Sequence, residues 1–193
     1  MGFVTRITEN NCLIATWDLN ESLDELSALY KKVDFPKFKS EKRKKEFLAV
    51  RLLLEKIRPN STIIYNKYGA PEIGDGNYIS ISHSKNLVAI IISNKQVGLD
   101  VEFISEKSRR LSSKFLNKEV YGDLSEEEAT LIWCCKEAIF KLYQKGDVDF
   151  KNDIALEPFI IQDFGKINVI FKNKKHGLYY KKLDDYFLAY VSV

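Results

Sequence analysis

The sequence predicts an α+β protein made of a pseudo-twofold pair of similar lobes, each a small antiparallel sheet packed on a long helix. Two long helical patterns, at residues 40–57 and 125–145, are each followed by short strand patterns. The segments "KNLVAIIIS" and "DYFLAYVSV" place polar residues before a similar apolar strand, once in each half. Strand-like sequence crosses the seam, so we predict an N-terminal lobe at 1–97 and a C-terminal lobe at 98–193 within one compact unit.

The N-terminal half begins with a predicted hairpin, in which "FVTRITE" and "CLIATWDL" alternate around the turn-forming pair Asn10-Asn11. A capping box, "SLDE", predicts a short helix in "SLDELSALYKKV". A longer helix is predicted from Ser40 to Ile57, because its apolar stripe lies opposite many basic residues and Pro59 ends the pattern. Strands are predicted at "STIIY", "YISIS" and "LVAIIIS".

The C-terminal half repeats this order of elements. The strand pattern "VGLDVEF" precedes the second long helix, which opens with the capping box "SEEE" and closes at Gly146. After this helix, four further segments predict an antiparallel set of strands: "PFIIQDF", "KINVIFK", "GLYYKK" and "YFLAYVSV".

The composition is that of a folded globular protein, with 193 residues, 45% hydrophobic and 30% charged. No apolar run approaches the roughly 20 residues that span a bilayer, and the N-terminus lacks a secretory pattern, so we expect a cytoplasmic protein without a membrane partner. The net charge is +3, and the basic run "KSEKRKK" is typical of a solvated helix face rather than a nucleic-acid site. Three cysteines and two histidines predict neither a disulfide framework nor a zinc cage.

Two carboxylates share one face of the strand "VGLDVEF". Asp100 and Glu102 alternate with apolar residues, which places them about 6.5 Å apart with room for one cation between them. The same pattern also fits the solvated face of a half-buried strand. In "ISHS", Ser82 and His83 follow a strand, where they fit either a phosphate contact or a structural role.

The second long helix carries a mixed face. Trp133, Glu137, Phe140 and Lys141 fall together, with Lys136 at the margin, whereas Cys135 lies on the apolar stripe and Cys134 at the edge of that stripe. Large aromatics beside charges indicate a cleft or an interface. Glu137 and Lys141 also have the i, i+4 spacing of an ordinary surface pair.

Taken together, the motifs "YGAP", "ISHS", "GLDVE" and "WCCKEAIFK", in this order, resemble the 4'-phosphopantetheinyl transferases of the Sfp type. The most diagnostic matches are Gly-x-Asp-x-Glu at 98–102 and Trp-x-x-Lys-Glu-Ala-x-x-Lys at 133–141, both complete. Nearly 100 residues precede Asp100, so the resemblance is to the two-lobed, monomeric branch rather than to the smaller trimeric one.

The resemblance implies an enzyme, a holo-[acyl-carrier-protein] synthase, that moves the 4'-phosphopantetheine arm of coenzyme A to a serine of an acyl or peptidyl carrier protein, as in fatty acid biosynthesis. It implies Mg²⁺ held by Asp100, Glu102 and Glu137. It also implies catalytic roles for Glu137 and Lys141, with either Glu137 or a water that it orients as the base. The implied coenzyme A contacts are Ser82, His83, Arg43, Arg51, Lys67 and Lys136. The identity of the carrier protein stays open.

One residue departs from the pattern of the resembled family. Ala70 precedes Pro71 where a lysine is usual, and Lys67 is the nearest residue that could supply the missing charge. Ala70 therefore motivates an alternative hypothesis, a non-catalytic module that binds coenzyme A or a carrier protein. A third hypothesis, a Mg²⁺-dependent nuclease using Asp100 and Glu102, lacks the usual Glu-x-Lys spacing near these carboxylates.

Overall fold

The computed structural model describes residues 4–30, 38–117 and 122–193. The chain forms two compact units, Met1–Asn94 and Lys95–Val193. The predicted seam is at 97/98, and Val97 and Gly98 lie in a strand that pairs within the second unit. The predicted bounds of the lobes stay a prediction.

The N-terminal unit is a six-stranded antiparallel sheet covered by helices. Asn10 and Asn11 form the first hairpin turn with φ of 51° and 61°, as a tight type I′ turn requires. The strands are β1 Val4–Glu9, β2 Cys12–Asp18, β3 Ile63–Tyr65, β4 Pro71–Ile73, β5 Tyr78–Ser84 and β6 Leu87–Ser93, in the order β1-β2-β6-β5-β4-β3. Helices α1 Leu23–Leu29 and α2 Glu41–Ile57 bury apolar faces in the core of this unit.

The C-terminal unit is a five-stranded antiparallel sheet packed on one long helix. Its strands are β7 Val97–Phe103, β8 Ile154–Leu156, β9 Phe164–Phe171, β10 Lys174–Leu183 and β11 Tyr186–Ser192, in the order β7-β11-β10-β9-β8. The helices are the short α3 Glu106–Arg110 and the long α4 Glu126–Tyr143. The predicted α+β class is confirmed. The pseudo-twofold relation between the lobes stays a prediction.

Several local predictions are confirmed and others are wrong. The N-terminal hairpin and both capping boxes form as predicted, whereas residues 31–33 of the first predicted helix lie outside the described residues. Helix α4 ends before Gly146, because Gln144 adopts the left-handed C-cap conformation with φ 59°. The segment "PFIIQDF" is irregular up to Asp163, and within it the hydroxyl of Tyr180 accepts a hydrogen bond from the amide of Gln162.

No helix in the described part of the chain has the length and apolar character of a membrane span.

Candidate active site

Strand β7 carries two of the predicted metal ligands at the edge of the C-terminal sheet. Asp100 and Glu102 are alternate residues of this strand, so their side chains share one face. Asp100 is 3% exposed and Glu102 is half-buried. Burial of a carboxylate is costly unless positive charge or hydrogen-bond donors compensate it, so the neighbours of these two groups decide what the site can do.

Helix α4 packs directly on β7 at Gly98. A Cβ at this position would collide with the carbonyl oxygen of Ala138 and would lie 2.6 Å from the amide nitrogen of Leu142. Only glycine lets the two backbones approach so closely. This contact brings the polar face of α4 beside the two carboxylates of β7.

Two side chains of α4 contact these carboxylates. The ammonium of Lys141 lies 2.7 Å from Oδ1 of Asp100, in a largely buried ion pair. The indole Nε1 of Trp133 donates a hydrogen bond to Oε1 of Glu102 at 3.1 Å. Trp133 is itself stacked on Phe150, with ring centroids 5.2 Å apart, so its indole holds Glu102 in one orientation.

Glu137 completes a cluster of three carboxylates. The pKa of Glu137 is raised to about 7, first by burial and then by the negative charge of Asp100, while the Lys141 ammonium opposes the rise and Glu102 adds to it. Glu137 thus lies close enough to both strand carboxylates for repulsion between like charges.

The donor chemistry of this cluster suits a hard divalent cation. Mg²⁺ prefers carboxylate oxygens, takes few of them from a protein, and completes its shell with water and substrate phosphates. Positive charge here would relieve the repulsion that raises the pKa of Glu137. Among the described residues, however, no three His, Cys, Asp or Glu side chains are arranged so that they could hold a metal ion as they stand. The three residues fit Mg²⁺ chemically, and their role as its ligands stays a prediction.

A cavity of about 260 Å³ opens beside Glu102. Its wall combines ammonium groups, hydroxyls and apolar side chains, contributed by Ser105, Lys107, Ser108, Leu111, Lys114, Phe115 and Trp133. Such a lining can hold an organic chain that carries polar groups.

A second cluster, in the N-terminal unit, brings together three of the predicted coenzyme A contacts. Arg43 and Arg51 on α2 and His83 on β5 line one cavity of about 140 Å³. Aromatic side chains form part of its wall, and the guanidinium carbon of Arg51 lies 3.2 Å from the ring centroid of Phe47. Cationic and aromatic groups around one cavity suit a phosphorylated aromatic ligand.

Two further predicted contacts do not reach this cavity. Ser82 precedes His83 on β5, so its side chain points to the opposite face, where it is 5% exposed. Lys67 is exposed, and its ammonium lies 5.0 Å from the ring centroid of Tyr68. Neither residue lines the cavity, so the structure does not support their predicted contacts with coenzyme A at this place.

Residues 96–191 match a family model described as the 4'-phosphopantetheinyl transferase superfamily. The chain belongs to this superfamily. The matched range contains both motifs and every residue of the carboxylate cluster.

Two curated proteins are similar to this superfamily member, and each match covers 67% of the chain. The protein named 4'-phosphopantetheinyl transferase gsp, from Aneurinibacillus migulanus, is 29% identical over 140 residues. A protein named putative ankyrin repeat protein, from Borreliella burgdorferi, is 28% identical over 141 residues. The matched part of the chain spans only 57% and 34% of the lengths of these two proteins.

One lysine of the helix motif at 133–141 is enclosed by the C-terminal unit. Lys136 is 1% exposed, and its ammonium donates hydrogen bonds to the backbone carbonyls of Phe150 and Ile154. A side chain so enclosed has no open path to a phosphate. The sequence placed Lys136 at the margin of the charged face, whereas packing of residues 150–154 over the helix covers it. Its predicted contact with coenzyme A is therefore not supported.

Lys136→Met is expected to destabilise the protein by about 2 kcal/mol, because two buried carbonyls lose a charged donor. The variant should bind coenzyme A within about twofold of the wild type, since a factor of two is only about 0.4 kcal/mol. Urea unfolding and titration calorimetry measure the two effects. Lys141→Met is the matched comparison, and stronger loss of binding in Lys136→Met than in Lys141→Met would contradict the structural role.

All three cysteines of this superfamily member are buried and free of disulfides. Cys134 donates weak hydrogen bonds to the carbonyls of Asp100 and Phe187, and burial raises the pKa of the thiols of Cys134 and Cys135. The thiolate is the reactive form of cysteine, so these groups are packing residues rather than nucleophiles.

Ellman's reagent is therefore expected to react slowly with the native protein and rapidly once it is unfolded in urea. The absorbance change with time measures the number and rate of reacting thiols. Fast reaction of any thiol in the native protein, before loss of secondary structure by circular dichroism, would contradict the buried placement.

The sequence alone does not predict the roles of two further residues in these clusters. Glu46 lines the cavity of the N-terminal unit, although in sequence it is one charge in a charged helix face. Trp133 anchors Glu102 through its indole nitrogen, whereas the sequence indicates only that it lies on the charged face. The glycine of "GLDVE" was the available signal that the strand and a neighbouring backbone touch.

Proposed function

We propose that this chain transfers the 4'-phosphopantetheine arm of coenzyme A to a serine of an acyl or peptidyl carrier protein in a Mg²⁺-dependent reaction that releases adenosine 3',5'-bisphosphate. The observation that carries the proposal is the cluster of Asp100, Glu102, Glu137 and Lys141. The three carboxylates and the ammonium come from the two motifs at 98–102 and 133–141, both within the range that matches the superfamily. The name of the relative from Aneurinibacillus migulanus supports the same reaction.

In this reaction the serine oxygen bonds to the phosphorus that carries pantetheine, and the bond from this phosphorus to the bridging oxygen breaks. The serine proton goes to the carboxylate of Glu137. Without a cation, burial and the charge of Asp100 raise the pKa of Glu137 to about 7. Bound Mg²⁺ would lower this pKa, so the carboxylate would be ionised and able to accept the proton, directly or through a water that it orients. The ammonium of Lys141, which lies 2.7 Å from Oδ1 of Asp100, would also contact a phosphate oxygen of the substrate and stabilise the leaving group.

Mg²⁺, held by Asp100, Glu102 and Glu137, would neutralise charge on the pyrophosphate of coenzyme A. Trp133 keeps the Glu102 carboxylate in place, and Gly98 keeps α4 and β7 in contact. We further propose that the cavity of the N-terminal unit binds the 3'-phosphate end of coenzyme A through Arg43 and Arg51, whose planar guanidinium groups suit phosphate.

The proposal extends to the setting of the reaction. The unlinked state of all three cysteines is consistent with a reducing, cytoplasmic compartment. The positive net charge of +3 favours encounter with an acidic carrier protein, for example one of fatty acid biosynthesis. We propose a monomer that acts without nucleic acid or membrane, and light scattering tests the monomer.

One assay tests the reaction. The protein is incubated with coenzyme A, Mg²⁺ and an apo carrier protein, and the carrier is weighed by mass spectrometry. The expected result is the added mass of one phosphopantetheine group, lost when EDTA replaces Mg²⁺ and regained on adding Mg²⁺. No added mass across acyl and peptidyl carriers would refute transfer.

The alternative is a non-catalytic module that binds coenzyme A or a carrier protein. It is favoured by Ala70 in place of a lysine and by the placement of Lys67 away from the cavity. Binding of coenzyme A in calorimetry without transfer to any carrier would support this module over the enzyme.

A further inference from the structure

A buried carboxylate lies within the cation cluster of the N-terminal cavity. Glu46 is 5% exposed and lies one turn along α2 from Arg43. Its Oε2 accepts a hydrogen bond from Nη1 of Arg43 at 3.3 Å, and its Oε1 lies 3.4 Å from Nδ1 of His83. The ammonium of Lys42 is farther, at 3.8 Å. An acidic group at the base of a proposed anion site needs an explanation, because by itself it repels phosphate.

The third side of this arrangement joins Arg43 to His83. Nη1 of Arg43 lies 3.1 Å from Nε2 of His83. Arginine has donors and no acceptor, so Nε2 of His83 must accept this hydrogen bond. The proton of the neutral imidazole then lies on Nδ1, which is 3.4 Å from Oε1 of Glu46. Only with this tautomer can both ring nitrogens make favourable contacts within the triangle.

The triangle leaves the outer edge of Arg43 available. Both N–H groups of Nη1 are used by Glu46 and His83, whereas Nε and Nη2 have no acceptor among the described residues. These two nitrogens form the edge of a guanidinium that binds two phosphate oxygens side by side. The side chain of Arg43 is 61% exposed, whereas that of Glu46 is 6% exposed, so the carboxylate lies inside and the arginine outside.

We propose that Glu46 is a positioning residue, which holds Arg43 both directly and through His83 so that the outer edge of the guanidinium binds a phosphate group of the ligand. The inference rests on the proposed function for the identity of that ligand, coenzyme A. It also changes the role of His83, which orients Arg43 rather than donating a hydrogen bond to phosphate. A flexible arginine loses less conformational freedom on binding when it is already held in place.

The tautomer of His83 tests the arrangement without any ligand. The chain has two histidines, so a two-bond ¹H–¹⁵N spectrum of the protein at pH 8 shows two imidazole patterns, and His176→Gln assigns them. The expected result is His83 with its proton on Nδ1. Glu46→Gln should change this pattern, whereas Glu41→Gln, an exposed position on the same helix, should not. A His83 ring protonated on Nε2 in the wild type would overturn the proposal.

Binding of coenzyme A tests the consequence. Glu46→Gln is expected to weaken binding about tenfold in titration calorimetry, the loss of one charge-assisted hydrogen bond. In transfer assays it should raise KM for coenzyme A with kcat retained. In an Arg43→Ala background the same change should have less than about twofold effect, because the residue that it positions is gone.

The outcomes separate the inference from the proposed function. Tighter binding of coenzyme A by Glu46→Gln would show that the carboxylate repels the ligand, which would overturn the proposal. An equal loss of coenzyme A affinity in the wild-type and Arg43→Ala backgrounds would show that Glu46 has only a structural role, which would also overturn it. Absence of coenzyme A binding by the wild type would refute the proposed function, while the tautomer of His83 would still decide whether Glu46 positions Arg43.

Discussion

Replacing Gly98 by alanine is expected to lower the free energy of unfolding of the C-terminal unit by about 3 kcal/mol, the upper range for an overpacked core. The added methyl group would meet backbone atoms of Ala138 and Leu142 rather than the end of a flexible side chain. Strand β7 or helix α4 must therefore shift as a whole. Such a shift would also lengthen the 2.7 Å contact between Lys141 and Asp100, so loss of transfer should accompany loss of stability.

Two other glycines provide graded controls for this substitution. Alanine at Gly74 meets no atom within 4 Å, and its effect should stay within about 0.5 kcal/mol. Alanine at Gly165 would lie 2.8 Å from a ring atom of Tyr180, a side chain that can yield, so its effect should be intermediate. Urea unfolding followed by circular dichroism measures both units, and tryptophan fluorescence in a Trp17→Phe background, where Trp133 is the remaining tryptophan, measures the C-terminal unit. Equal stability of the variants at positions 98 and 74 would contradict the close contact of β7 with α4.

The sequence predicts best those elements that are determined by residues close together along the chain. The turn at Asn10-Asn11 and the capping boxes at Ser22 and Ser125 depend on residues within a few positions of each other, and all three form as predicted. Short elements depend on distant partners instead. β4 and β8 each have three residues, too few for a period, and exist because β3, β5 and β9 pair with them.

The candidate site follows the same division. Alternation in "VGLDVEF" predicts that Asp100 and Glu102 share a face, because neighbouring positions along a strand determine it. The enclosure of Lys136 does not follow from its spacing along the helix, because the carbonyls that its ammonium contacts belong to residues 150 and 154. The contact between Arg43 and His83 joins positions 40 residues apart, so no spacing rule reveals it.

Glu137→Gln is expected to reduce kcat for phosphopantetheine transfer by about 10³-fold, the middle of the range for loss of a general base. Glutamine keeps the size of the side chain and removes both its basicity and its charge as a metal ligand. Transfer to an apo carrier protein, followed by mass spectrometry, measures the loss. The matched control is Glu126→Gln, the same change at an exposed position of α4, which should retain transfer.

The stability of this variant distinguishes loss of chemistry from loss of fold. In the folded protein, burial and the charge of Asp100 raise the pKa of Glu137 to about 7, above its usual 4.5. A carboxyl group whose pKa is raised in the folded state destabilises the protein as pH rises between the two pKa values, because the unfolded state has released the proton while the folded state still holds it. At pH 8 in metal-free buffer, Glu137→Gln should therefore unfold at the same urea concentration as the wild type or a higher one. If Glu137→Gln is inactive and also less stable than the wild type, Glu137 supports the fold. If Glu137→Gln keeps transfer activity, Glu137 has no part in the proposed mechanism.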